Sequence, residues 1–121
     1  MTTTITVCET CRRRDGSVSD SDKRDGEIFC EMVEAAANGV EGVKVSRFQC
    51  LAGCDEACNV ALQSPQKFSY ALGRFEPSVE KATALVEFAA LHDQSADGMV
   101  PFRDRPEGIK GHMRVKLPIL D

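Results

Sequence analysis

No stretch of this sequence is long and apolar enough to cross a bilayer. A spanning helix needs about 20 consecutive apolar residues, and the runs here are only a few residues long. The opening residues, MTTTITVCET, hold neither a basic stretch nor an apolar one, so no secretory signal is expected and the chain reads as cytoplasmic. Basic excess is lacking as well: 15 Lys and Arg stand against 19 Asp and Glu, a formal charge of −4. Nucleic-acid binders usually show a basic stripe, so neither nucleic acid nor membrane is expected as a partner. The one basic run, Arg12-Arg13-Arg14, is short and runs into acidic residues. No glycine-rich phosphate loop, nucleophile triad or paired acid and base occurs, so the chain is not expected to be an enzyme. Histidine is scarce. His92 closes a predicted helix, where the macrodipole favours a cation, and His112 lies in the C-terminal tail. Neither has ligand spacing, and both read as structural or exposed. No internal repeat is present.

What the sequence does have is thiol. Six cysteines occur in 121 residues, and five of them fall in two clusters, CETC at 8–11 and CLAGCDEAC at 50–58. In a secreted chain these would read as disulfides. In a reducing compartment, clustered cysteines more often bind metal or do redox chemistry. The length suits one domain with a single modest core, and 42% hydrophobic with 28% charged residues is ordinary for a globular chain.

The pattern along the chain places the clusters. Residues 4–7, TITV, are β-branched and predict a first strand running into Cys8. Residues 12–26 are polar with two glycines and predict a loop. Residues 27–37 predict a helix with Ile28, Phe29, Met32, Val33 and Ala36 on one face, Asp25 as N-cap and Asn38-Gly39 as the stop. Cys30 falls off that face and is given no special role. Residues 43–48, VKVSRF, predict a second strand, followed at once by the second cysteine cluster. VALQ at 60–63 and FSYALG at 68–73 predict a hairpin. Pro77 suits a helix start, and the helix that follows sets Val79, Ala82, Val86 and Ala89 on one face, with Leu85 and Phe88 beside them. Residues 93–121 hold three prolines and three glycines and predict an extended, largely irregular tail packed on the domain of residues 1–92. The expected fold class is therefore α/β, in the order β-α-β-β-β-α. The helical crossover makes the first two strands parallel.

Topology then supplies the chemistry. Cys8 and Cys11 follow the first strand, and Cys50 and Cys54 follow the second. If those strands are parallel neighbours, both pairs emerge at one edge of the sheet, where open α/β sheets bind ligands. Four soft thiolates suit zinc, copper(I) or an iron–sulfur cluster. A [2Fe–2S] cluster takes two thiolates on each iron and matches two cysteine pairs. Structural zinc pairs two tighter knuckles, and no glycine follows either cysteine of CETC. Cys58 has two readings: an alternative or fifth thiol at the site, or a small buried residue. The fourth ligand is thus either Cys11 or Cys58.

ITVC, then CLAGC after a strand, then VALQSPQKFSYALGRFEPSVEKATALV resembles the thioredoxin-like [2Fe–2S] ferredoxins over residues 4 to 92. The resemblance implies a thioredoxin-like, four-stranded mixed sheet, electron transfer to a redox partner protein, and a homodimer. Cys8, Cys50 and Cys54 match that family's ligands. Its remaining ligand comes from the long loop after the first strand, where this chain has no cysteine between Cys11 and Cys30. The whole chain is also similar to an uncharacterised family of predicted metal-binding proteins, some linked to cobalamin biosynthesis, through CETC, CLAGCDEAC, DGMVPFRDRP and RVKLP. That likeness implies metal binding, with a metal-handling role connected to cobalt or cobalamin as one form of it. The expected function is a [2Fe–2S] electron carrier held by Cys8, Cys11, Cys50 and Cys54. Zinc or another divalent metal on the same thiols is the alternative. A thiol–disulfide oxidoreductase using Cys8 and Cys11 ranks third, since RRRDGS in place of a helix start and the lack of a proline before the third strand break that pattern. Arg12, Arg13 and Arg14 would offset the charge of a thiolate-bound cluster or dock an acidic partner.

Overall fold

The computed structural model describes residues 2–9, 25–48 and 58–119. Strand β1 (Thr3–Cys8) leads to helix α1 (Asp25–Ala37) and strand β2 (Val43–Phe48). The hairpin β3 (Val60–Gln63) and β4 (Ser69–Leu72) precedes helix α2 (Val79–Gln94). Two short 3-10 helices, Phe102–Asp104 and Glu107–Ile109, then lead to strand β5 (Met113–Leu117). The sheet order is β2-β1-β3-β4-β5. β1 and β2 are parallel, with Ile5 opposite Val45 and Cys8 opposite Phe48. All other neighbouring pairs are antiparallel.

The alternation of β1 decides which side is covered. Ile5 and Val7 pair with Leu62 and Val60, and all four are buried. Helices α1 and α2 pack on each other and both touch β1 and β2, so they share that face. Phe29 and Val33 of α1 and Leu85, Phe88 and Ala89 of α2 complete the core with Tyr70 and Leu72 of β4. Each such side chain, withdrawn from water, contributes roughly 1.5–3 kcal/mol. The opposite face carries Thr4, Thr6 and Cys8 of β1 and Ala61 of β3.

Three expectations change. The sheet has five strands rather than four, because part of the tail expected to be irregular forms β5 along the edge of β4. β5 is exposed from Arg114 to Leu117, yet its sequence, MRVKL, alternates apolar and polar residues as a strand does, a signal outweighed by the prolines and glycines around it. Cys30, expected off the apolar face of α1, is wholly buried, because the buried stripe runs Gly26, Phe29, Cys30, Val33. Val79, expected on the inner face of α2, is 71% exposed, because α2 begins there. Its N-cap is Ser78, whose hydroxyl accepts from the Lys81 N–H at 3.1 Å, a cap worth about 1 kcal/mol.

His92, expected to be structural or exposed, is structural. It is fully buried. Its Nε2 lies 2.6 Å from the Phe68 carbonyl, which can only accept, so Nε2 carries the proton. Nδ1 then accepts from the Thr3 hydroxyl at 2.7 Å. Gly98 closes over this ring with φ +84°, and a Cβ there would sit 2.8 Å from Nε2. Both the left-handed backbone and the contact require glycine.

Candidate metal centre at the end of the parallel strand pair

β1 ends on Cys8, which is 1% exposed. The hydrophobic core cluster includes Cys30 and Cys58 but not Cys8. Cys8 is therefore buried outside the core, on the sheet face away from the helices. Its neighbours on both sides are defined. Phe48, the last residue of β2, lies opposite Cys8, and its carbonyl accepts from the Glu9 N–H at 3.0 Å. On the other side, the Cys8 N–H donates to the Asn59 carbonyl at 3.2 Å. Phe48 and Asn59, described residues on either side of segment 49–57, thus both pair beside Cys8. That segment carries Cys50 and Cys54.

Cys11, Cys50 and Cys54, with Arg12–Arg14, Asp55 and Glu56, lie outside the described residues. Among the described residues no group of three or more Cys, His, Asp or Glu side chains is arranged to hold a metal. The structure therefore brings together the strand ends from which the two cysteine clusters depart, and among the candidate ligands it positions Cys8 and Cys58. Cys58 sits in the core, and its N–H and C=O pair with Phe75 at 3.4 and 3.3 Å.

The far anchor of the segment is an aromatic stack. Phe75 lies 5.2 Å from Phe29 and 4.3 Å from the His112 ring, the latter nearly parallel at 10°. His112 Nδ1 is 2.9 Å from the Gly73 carbonyl and so donates to it. Residues 73–75 follow β4, and Arg74 there takes φ +61°. His112, read from sequence as structural or exposed, is structural.

Burial holds both imidazoles below their ordinary pKa, against the opposing pull of the Phe68 carbonyl on His92 and the Gly73 carbonyl on His112. Below the ordinary value of about 6.5, the unfolded chain therefore binds protons that the folded one does not, so folding stability is complete above that pH and falls as the pH drops through the window beneath it. Urea midpoints measured at about pH 7.5 and about pH 5.5 are expected to be higher at the former. His112→Phe, which keeps the ring stack, is expected to narrow the difference.

Sequence reasoning missed three groups around Cys8. Asn59, buried beside it, became recognisable only from the β1–β3 register. Phe48 lies on the same sheet face as Cys8, by alternation, and is 56% exposed. Arg47 joins the strand to its surroundings. Its guanidinium bonds Glu34 of α1 at 2.6 and 3.4 Å and lies 3.8 Å from Glu9, the residue between Cys8 and the rest of CETC. Cys30 is close enough to feel this cluster. Burial pushes its thiol up to about 11, with Arg47 pulling it down and Glu34 pushing it up. Cys30 therefore stays protonated near neutral pH, unsuited to nucleophilic attack.

Fold and strand ends together define a mixed α/β protein with cysteine-bearing segments issuing from one end of a parallel strand pair. No helix among the described residues is long and apolar enough to cross a membrane. The chain belongs to the family described as "Protein of unknown function (DUF1636)", whose model matches residues 5–119. No curated protein and no solved structure matches it.

Proposed function

We propose that this protein is a thioredoxin-like [2Fe–2S] electron carrier, with Cys8, Cys11, Cys50 and Cys54 as thiolate ligands, working in the cytoplasm with a redox partner protein. The observation that carries the reading is the placement of Cys8. It is a thiol buried off the hydrophobic core, flanked by both attachment points of the segment that contains Cys50 and Cys54. The order β2-β1-β3-β4, with both helices on one face, supports a thioredoxin-like frame. The core position of Cys58 favours Cys11 as the fourth ligand. A bound cluster would supply one-electron chemistry. The chain's own residues would keep the thiolates together and limit water: Cys8 is held at both sides by strand pairing, and Arg47 steadies Glu9 at the start of the first cysteine segment.

The same four thiolates could hold zinc, and metal analysis separates the two. Protein purified anaerobically is expected to be coloured, with iron and acid-labile sulfide in equal amounts. Colourless protein holding one zinc would replace the cluster reading with a zinc one. Metal-free protein that reduces disulfides would replace both with a thiol oxidoreductase.

A further inference from the structure

The end of β1 away from Cys8 is built around buried polar groups that the metal centre does not use. Thr3 opens that strand, and its hydroxyl reaches His92, near the end of α2, at 2.7 Å. Lys67, in the turn between β3 and β4, keeps only 4% of its side chain exposed. Its ammonium donates to the carbonyls of His92, at 3.1 Å, and of Asp93, and lies 4.0 Å from the Asp93 carboxylate. A buried cation thus already occupies the C-terminal end of α2, where the last carbonyls of a helix favour positive charge. The Tyr70 ring stands edge-on to the imidazole at 5.8 Å.

Residues 95–99 cover this cluster. A Cβ on Gly98 would meet both the His92 ring and Lys67 Cβ, the latter at 2.9 Å. The Gly98 carbonyl accepts from the Tyr70 hydroxyl at 3.2 Å. The Asp97 carbonyl accepts from the Phe68 N–H at 2.8 Å, and the Asp97 carboxylate accepts from the Met99 N–H at 2.9 Å. Gly98 is buried, but Ala96, Asp97 and Met99 are exposed. At Val100, 3% exposed, the chain enters the core. Hydrogen bonds more than apolar contacts therefore hold residues 95–99 down, and such a segment can open without unfolding the helices.

We propose that residues 95–99 form an acid-released latch, closed over a neutral His92 and opened when that imidazole takes a second proton. The charged ring is poorly placed in the closed cluster. Both its nitrogens would donate, so the bond from the Thr3 hydroxyl to Nδ1 is lost, and Lys67 already sets one cation beside it. The Phe68 carbonyl and Asp93 pull the other way, but burial outweighs them and Asp93 is shared with Lys67. The Asp97 carboxylate is engaged by Ser95 and Met99, and the Tyr70 hydroxyl by Gly98. Lifting Gly98 lets water reach the ring, whose pKa then returns to its ordinary value of about 6.5. The latch is therefore closed above that pH, and its open fraction rises about tenfold for each pH unit below it. It lies at the opposite end of β1 from Cys8, so it does not depend on the metal reading.

Amide hydrogen exchange on the protein as purified, corrected for the intrinsic pH dependence of exchange, provides the test. The Phe68 and Met99 amides read the latch, and those of Leu85 and Phe88 in α2 read the core. The latch amides are expected to be less protected than the core ones throughout. Between about pH 7.5 and about pH 5.5 their protection is expected to fall about tenfold, with its onset at about pH 6.5. His92→Gln can still donate to the Phe68 carbonyl and does not titrate, so its latch amides are expected to keep their protection. Latch amides as protected as the core would mean that residues 95–99 open only when the whole molecule unfolds, and would overturn the proposal. So would a wild-type profile that is flat, one that falls only at about pH 4 where carboxylates titrate, or a fall that persists in His92→Gln.

Discussion

Cys8→Ser is expected to remove almost all bound iron and sulfide and to abolish the visible absorption, while far-UV circular dichroism stays unchanged. Serine occupies nearly the same volume, so the end of β1 can keep its pairing with Phe48 and Asn59. What changes is the donor. A hydroxyl oxygen is harder and far less acidic than a thiol, and an iron–sulfur site selects soft thiolates. Cys58→Ser is the matched comparison. Its side chain sits in the hydrophobic core, so the variant is expected to keep its cluster and lose stability instead, by about 1–3 kcal/mol for a buried hydroxyl without a new partner. A Cys8→Ser protein with a full, spectroscopically unchanged cluster would show that the centre is not at this strand end.

Phe75→Ala is expected to destabilise the fold by about 3–5 kcal/mol, the usual cost of emptying a buried phenylalanine site. Set against a typical total of about 5–15 kcal/mol, the loss is large. Phe75 is fully buried and lies between the Phe29 and His112 rings. It ties α1, the end of β4 and the start of β5 into one stack. Its backbone also closes the double hydrogen bond with Cys58, two residues before β3. Urea titration followed by circular dichroism reads the loss. A drop below about 1 kcal/mol would mean that the neighbours refill the space and that the stack is not a keystone of the core.

Much of the frame was legible beforehand because its signals are local. Thr4 to Val7 is β-branched, VKVSRF alternates at its start, and VALQ and FSYALG lie a turn apart. Each became a strand within two residues of the expected limits. The two helices announced themselves through their apolar period and, for α2, through Pro77 near its start. Cys30 was misplaced because a stripe drawn through the bulkiest residues gave Met32 the place that the smaller thiol takes. β5 was missed for a different reason. MRVKL alternates apolar and polar residues as a strand does, but it lies among the prolines and glycines of the tail, and its pairing with the edge of β4 is a long-range event.

The candidate centre divides along the same line. Cysteine clusters just after two strands can be read from spacing, since a strand end is a local event. Asn59, Phe48 and Arg47 had no such mark. Their relation to Cys8 depends on register, and register arises from pairings between residues 40 to 59 positions apart in the chain.

By itself, then, the order of residues determined where the first four strands and both helices form, how many thiols the chain has, and that two cysteine clusters follow the first two strands in sequence, because those properties follow from side-chain pattern over a few neighbouring positions. The tertiary structure alone decided that β1 lies between β2 and β3, that Cys58 belongs to the core while Cys8 does not, and that His92 is neutral. Each of these depends on which distant groups withdraw a side chain from water and which hydrogen bonds replace those that water made.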